Sequence, residues 1–307
     1  MIELIHIFID NLLPVLAIAG VGLYLRRRFD VSPVMTSRMM FHVFSPALAF
    51  NALYTRDISG GDFLRMYGGT VALALTVACI AFLALRWGKL KANERAAALV
   101  ATFVFNGGNF GISIVSFAFG AEALSYAVIA YVAGSTTAYT LGVYISSKGK
   151  ASMLQSLRSI LRTPSVYALA LAFGLKALGI NELPPALSRT SQLLADASIP
   201  LMLVLLGLQL GGLGKPSGWK LVFSASAIRL LLAPLLAVFF ASLFGLEGGA
   251  RFAFILQAGM PTAVMTIVLA HEFGTDQDLA LNLIMATTLI SPITLSLLIY
   301  LLQHGLI

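Results

Sequence analysis

Apolar stretches recur from one end of this 307-residue chain to the other. A helix needs about 20 such residues to cross a hydrocarbon core of about 30 Å. Lipid offers a backbone no hydrogen-bond partner, so a chain of this pattern must satisfy its own amides within each crossing segment. Composition agrees: 59 % of residues are hydrophobic and 11 % are charged, against about 25 % charged in a soluble domain. A water-soluble enzyme, a disordered chain and a nucleic-acid binder are excluded. The chain reads as an all-α, polytopic membrane protein.

Ten segments have the length and composition of membrane helices: 4–25, 33–54, 67–86, 95–119, 123–145, 164–180, 195–213, 220–244, 250–271 and 279–303. Connections between them are short, and no soluble domain is inserted. The first segment reads as a retained helix rather than a signal peptide. Acidic Glu3 and Asp10 lie early in it, and Arg26, Arg27 and Arg28 follow it, the reverse of a signal peptide's basic start. Basic residues bias topology toward the cytoplasmic face. With the N-terminus outside, fourteen of the twenty Lys and Arg fall in cytoplasmic connections, among them Arg38, Arg86, Lys89, Lys148, Lys150 and Lys215. Arg56, Arg65, Lys176, Arg189 and Arg251 fall on the opposite face, and the connection at 272–278 is acidic. Both termini are therefore expected on the non-cytoplasmic side. Cys79 has no intrachain partner, and His6, His42, His271 and His304 are far apart, so neither a disulfide nor a metal site is expected, and no cofactor.

Ten segments divide into residues 1–150 and 151–307, five in each. Five is odd, so two similar halves would lie inverted in the membrane, an arrangement common in secondary transporters. The fourth segment carries Asn106-Gly107-Gly108-Asn109-Phe110-Gly111 and the ninth carries Gln257-Ala258-Gly259-Met260-Pro261-Thr262. Each sets a carboxamide before small residues and a helix breaker. The second and seventh segments share a central proline, Pro46 and Pro200. Glycine and proline disfavour helix, and eleven residues separate Arg95 from Asn106, about 16 Å of helix. The breaks therefore fall near mid-membrane, where irregular backbone is tolerated only if buried or lining a cavity. Second half-helices beginning near Asn109–Gly111 and Pro261–Thr262 would turn N–H groups and positive dipole ends toward an anion. Asn106, Asn109 and Gln257 could add amide contacts. Candidate substrate-binding residues are thus Asn106, Gly107, Gly108, Asn109, Gly111, Gln257, Gly259, Pro261 and Thr262. The structural alternative is a pair of kinked helices whose amides cap freed carbonyls.

These two motifs resemble the crossovers of the auxin efflux carrier family, which includes plant PIN-type carriers and prokaryotic malonate and malate permeases. The resemblance covers the whole chain. It implies an inverted-repeat elevator fold like that of bile-acid sodium symporters and sodium/proton antiporters. A dimerising scaffold would come from helices 1, 2, 6 and 7 (about 1–57 and 164–213), and a mobile transport domain from helices 3–5 and 8–10 (about 67–145 and 220–303). It further implies a crossover asparagine as the carboxylate contact, with Asn106 and Asn109 as the matching positions. The chain departs from the family pattern where a proline would follow the first glycines, since Ser113 stands nearby. It also lacks the long hydrophilic central loop of plant carriers. The short connection at 146–163 argues for a prokaryotic-type member, expected in the inner membrane.

Arg229 lies nine residues past Lys220, about 13 Å into its segment. Intramembrane charge is costly and is functional by default, so Arg229 is a candidate for balancing an anionic substrate, or alternatively an anchor or a snorkelling side chain. Thr136, Thr140, Thr287 and Ser291 are candidate cavity-lining hydroxyls. Gln209 and Asn51 suit helix–helix hydrogen bonds, and Gly207–Gly211 forms a GxxxG pattern that allows close helix approach, with a dimer contact as one use. Asp10 and His42 read as interfacial. Intramembrane proteolysis is disfavoured because no GxSG-type nucleophile with a partnered histidine is present. The functions that remain are an electrogenic carrier of a small organic anion, a sodium- or proton-coupled symporter of bile-acid type, and a non-transporting sensor.

Overall fold

A computed structural model describes residues 2–86, 90–147, 158, 160–212 and 219–307. Helices in chain order are α1 (Ile2–Phe29), α2 (33–54), α3 (Gly60–Arg86), α4 (Ala92–Phe103), α5 (Gly107–Ser146), α6 (Pro164–Ala177), α7 (Pro185–Leu210), α8 (219–243), α9 (Gly248–Ala258), α10 (Met265–Phe273) and α11 (Gln277–Gln303). Among the described residues, six helices are long and apolar enough to cross a membrane. The orienting residues Lys89, Lys148, Lys150 and Lys215 lie outside the described residues. Glu3 and His304 pair at 2.9 Å, so the two ends of the chain share one face.

Five of the described helices carry a proline in midcourse, and three of them deal with it in the same way. A wide π-type turn at Phe8–Leu12, Met40–Phe44 or Ile228–Leu232 immediately precedes Pro14, Pro46 or Pro234. Proline has no N–H, and its ring collides with the carbonyl four residues back. One wide turn moves that carbonyl aside and keeps the helix running. Pro200 sits within α7 in α-helical surroundings, so the local backbone of Pro46 and Pro200 differs. Helix α5 changes direction at Gly120, whose φ of 73° and ψ of −164° lie outside the helical region. That conformation is open to glycine and strained for other residues.

Helix α7 begins ten residues before the expected position 195. Pro185 supplies a preset φ in its first turn, and Ser188, Arg189 and Ser191 extend the helix beyond the apolar run. It packs along α1 with no side chain between the backbones. A Cβ on Gly207 would fall 1.8 Å from the Ala19 carbonyl oxygen, and one on Gly22 would fall 2.0 Å from that of Val204. The GxxxG pattern is therefore used inside the chain, against α1. Hydroxyls tie α7 to α2: Ser198 Oγ donates to the Phe44 carbonyl at 2.9 Å. The segment just after α6 joins the same group, as the Tyr54 hydroxyl donates to Ile180 O at 2.9 Å.

The α1–α7 contact predicts a sharp contrast between two glycines. Gly207→Ala must push the helices apart, an overpacking cost of about 1–3 kcal/mol or more. Gly20→Ala meets open space and is expected to be neutral. Thermal unfolding of the purified protein in detergent should show a lowered midpoint for the first and an unchanged midpoint for the second.

Candidate functional site

Helix α4 runs twelve residues from Ala92 to Phe103, about 18 Å, and stops. The backbone at Val104 and Asn106 is extended or irregular, and helix resumes at Gly107. Helix α9 runs eleven residues to Ala258, and helix resumes at Met265. The two interruptions cross. Phe105 and Thr262 face each other as an isolated antiparallel pair. Asn106 N–H donates to Pro261 O at 2.8 Å, and Ala263 N–H donates to Val104 O at 3.0 Å. The two bonds exchange under a local two-fold that carries Val104 onto Pro261 and Asn106 onto Ala263. The carboxamides that matched in sequence, Asn106 and Gln257, are not equivalent about this axis. Asn106 lies in the crossing itself, while Gln257 is in the last turn of α9.

A helix end buried without partners is costly, because its last four carbonyls have no amide to accept from. Every such carbonyl here is satisfied. In α4, Val100 O accepts from Val104 N–H at 3.0 Å, and Ala101 O accepts from Thr262 Oγ1 at 2.8 Å. Thr102 O and Phe103 O both accept from Arg229 Nη1 at 3.3 Å. In α9, Ile255 O and Leu256 O accept from Gly259 N–H, and Gln257 O accepts from Met260 N–H. Ala258 O accepts from Arg229 Nη2. One guanidinium thus caps both half-helices. Arg229 is 2 % exposed, and its guanidinium also lies 5.8 Å from the centre of the Phe105 ring.

The resuming helices present the opposite polarity. Their first-turn N–H groups carry the positive dipole end, and Asn106 Nδ2 is buried with no partner among the described residues. Part of this surface is already used: Thr262 N–H donates to Thr287 Oγ1 at 3.0 Å, and Gly111 N–H donates to Asn106 O at 2.9 Å. Gln257 Nε2 donates to Gly107 O and Ala127 O, each at 3.2 Å, pinning α9 to both limbs of α5. Asn109 Nδ2 donates to Gln209 Oε1 of α7 at 3.2 Å.

The glycines do a different job from the one their spacing suggested. Gly107, Gly108 and Gly111 lie inside a helical turn, and the break precedes them. They are small because side chains press on them. A Cβ on Gly108 would fall 2.7 Å from the Tyr131 ring, and one on Gly111 would fall 2.3 Å from Gln257 Oε1. Phe105 wedges between Gly107 and Gly134, at 2.6 Å from a Cβ on either. In the second interruption, Gly259 caps α9 and Pro261 occupies the extended stretch. Proline cannot donate to a helix, which fits a position whose carbonyl rather than N–H is used in the crossing.

Of the candidate hydroxyls, Thr287 reaches the crossing. Thr136 pairs with the Tyr67 hydroxyl at 2.7 Å, joining α5 to α3. Thr140 and Ser291 bond carbonyls of their own helices. Phe105, Tyr131 and Gln209 complete the site and were absent from the sequence-based set. Only the glycines they press upon hinted at the two aromatic rings, and no local pattern marked Gln209 as a partner of Asn109.

Comparison with known proteins gives a consistent account. A family model described as membrane transport protein matches residues 7–299. An uncharacterised transporter of Methanothermobacter thermautotrophicus is 29 % identical over 266 residues, covering 85 % of this chain and 86 % of that protein. An uncharacterised transporter of Methanocaldococcus jannaschii is 24 % identical over 270 residues, with 85 % and 87 % covered. Auxin efflux carrier component 6 of Arabidopsis thaliana is 28 % identical over 144 residues, which are 45 % of this chain and 25 % of the plant protein. With nearly its whole length matched, the chain belongs to the membrane transport protein family, the family of the auxin efflux carriers, and is an integral, multi-pass membrane protein.

Proposed function

We propose that this transporter is a secondary carrier of a small organic anion, a carboxylate, working by an elevator-type exchange of access and favouring electrogenic efflux. The observation that carries this reading is the unequal treatment of helix ends at the crossing. Arg229 closes carbonyls at the negative ends of both α4 and α9, whereas the buried Asn106 amide, beside the positive end of the resuming α5, has no partner among the described residues and is free to meet a ligand. Such a surface favours an anion, and planar carboxylates accept from paired donors of this kind.

In this reading ten membrane helices form two inverted halves, 1–150 and 151–307, related by the local two-fold at Phe105 and Thr262. Helices α1, α2, α6 and α7 form the scaffold, and the remainder forms the moving body. The Asn109–Gln209 hydrogen bond then spans the two bodies and must break as they slide. Scaffold surfaces pair two copies as a homodimer, both termini lie on the non-cytoplasmic side, and the host membrane is a prokaryotic inner membrane. No Asp or Glu occurs between Arg95 and Gly120 or between Arg251 and His271, which favours uniport over sodium or proton coupling. A monovalent anion leaving a cell at −100 mV gains about 2.3 kcal/mol, nearly a fiftyfold gradient at equilibrium. Arg229 does not cancel that charge. It travels out with the loaded carrier and back with the empty one, so the net charge moved per cycle is the substrate's own.

Two measurements test the reading. Currents on solid-supported proteoliposomes should follow addition of malonate, malate or indole-3-acetate without sodium or a proton gradient; electroneutral or strictly sodium-dependent flux would refute it in favour of a coupled symporter. Asn106→Ala and Asn109→Ala each remove a donor to the anion, a loss of about 1.5–3 kcal/mol. Transport should fall by about tenfold or more with folded protein retained, and wild-type rates in both variants would count against a site here.

A further inference from the structure

The geometry points to Arg229 as a tethered cation that does the work of a bound metal ion at the crossing, so that truncating it opens a site for a free small cation of guanidinium type. Three observations meet at this side chain. Its terminal nitrogens donate to the carbonyls of Thr102, Phe103 and Ala258, which are backbone oxygens at the ends of two different helices. Oxygen-only coordination from converging carbonyls is the donor set of a hard cation. Its charge has no carboxylate within 4 Å among the described residues. Each of the two helix ends carries roughly half a negative elementary charge; together they match one guanidinium. The third observation is space. A void of about 10 Å³ beside Arg229 is lined by Gln257 and Thr70 and otherwise by apolar groups such as Phe103, Phe105 and Phe254, enough for one water. Arg229 Nε and Gln257 Oε1 are both buried without a partner among the described residues. Among mostly apolar walls, the groups that would meet a cation there are the helix-end carbonyls and the Gln257 carboxamide oxygen, and shortening the Arg229 side chain enlarges the space.

A substrate anion does not fit the same place. The Nη atoms are engaged by the helix ends, and an anion bound there would have to displace them and would leave two sets of carbonyls uncapped. Arg229 instead holds α4 and α9 together in the absence of any dissociable ion, whatever passes on the other side of the crossing.

Stability of the purified protein in detergent is the readout, so the outcome stands apart from whether the chain carries a carboxylate. Arg229→Ala should melt several degrees below wild type. Millimolar methylguanidinium should restore much of the loss with a saturable concentration dependence, as mass action requires for a ligand of the folded state. Methylurea, of the same shape but neutral, should restore nothing, and wild type should respond to neither. Arg229→Lys, which keeps the charge, should stay closer to wild type than Arg229→Met, which keeps much of the volume. If Arg229→Ala does not fold, the Lys–Met pair decides: Lys folded with Met lost supports the tethered cation, and equal behaviour overturns it. It is also overturned if a folded Arg229→Ala is as stable as wild type, or if methylurea rescues as well as methylguanidinium.

Discussion

A helix that ends halfway across a bilayer leaves its last turn of carbonyls facing a solvent that cannot hydrogen-bond them. Two helix ends buried at the centre of this molecule raise the same demand, and much of its polar structure is arranged around them. Arg229 from α8, Thr262 from the opposite interruption and the amides of Val104, Gly259 and Met260 supply one donor after another until no carbonyl of either last turn is orphaned. Thr287 from α11 and Gln257 from α9 then hold the strands of the crossing in place. Helices α8 and α11 are thus fastened to the centre by polar contacts, while their outer faces remain apolar, as at Phe239 and Ile293.

This arrangement makes the crossing rigid on one side and receptive on the other. The C-terminal ends are locked by bonds reaching across four chain segments. On the other side, Asn106 retains a free amide and Asn109 holds a partner, Gln209, on a different helix group. The proposed elevator carrier would use both properties: a body that moves without deforming, and a surface whose contacts can be exchanged between ligand and neighbour.

Much of the fold was legible in the sequence because hydrophobic length is a local property. The positions of α1, α3 and α11 follow directly from apolar runs. The second interruption was legible because Gly259 and Pro261 disfavour helix through their own backbones. The first was misplaced by a few residues: Gly107, Gly108 and Gly111 looked like breakers, but they are small to admit Phe105, Tyr131 and Gln257, a reason that exists only in three dimensions. Arg229 was conspicuous as a charge, yet its partners were invisible because they are backbone carbonyls, which every sequence has everywhere. The pairing of Asn106 with Gln257 failed for a related reason. Similar composition in two segments does not set register; the two bonds between Val104–Asn106 and Pro261–Ala263 do. The start of α7 was missed because polar Ser188 and Arg189 sit on a helix that outruns its apolar stretch.

The crossing also orders the making of the protein. Thr102 O and Phe103 O accept from a residue 127 and 126 positions later in the chain, and Ala101 O from one 161 positions later. During synthesis, α4 therefore enters the membrane with an exposed end that nothing yet made can close. Three of its last four carbonyls have no partner until the second half of the chain is made. Only then can the centre dry out, and it does so in both halves at once. Loss of the late residues would leave the early ones fully translated, correctly inserted and still unfinished.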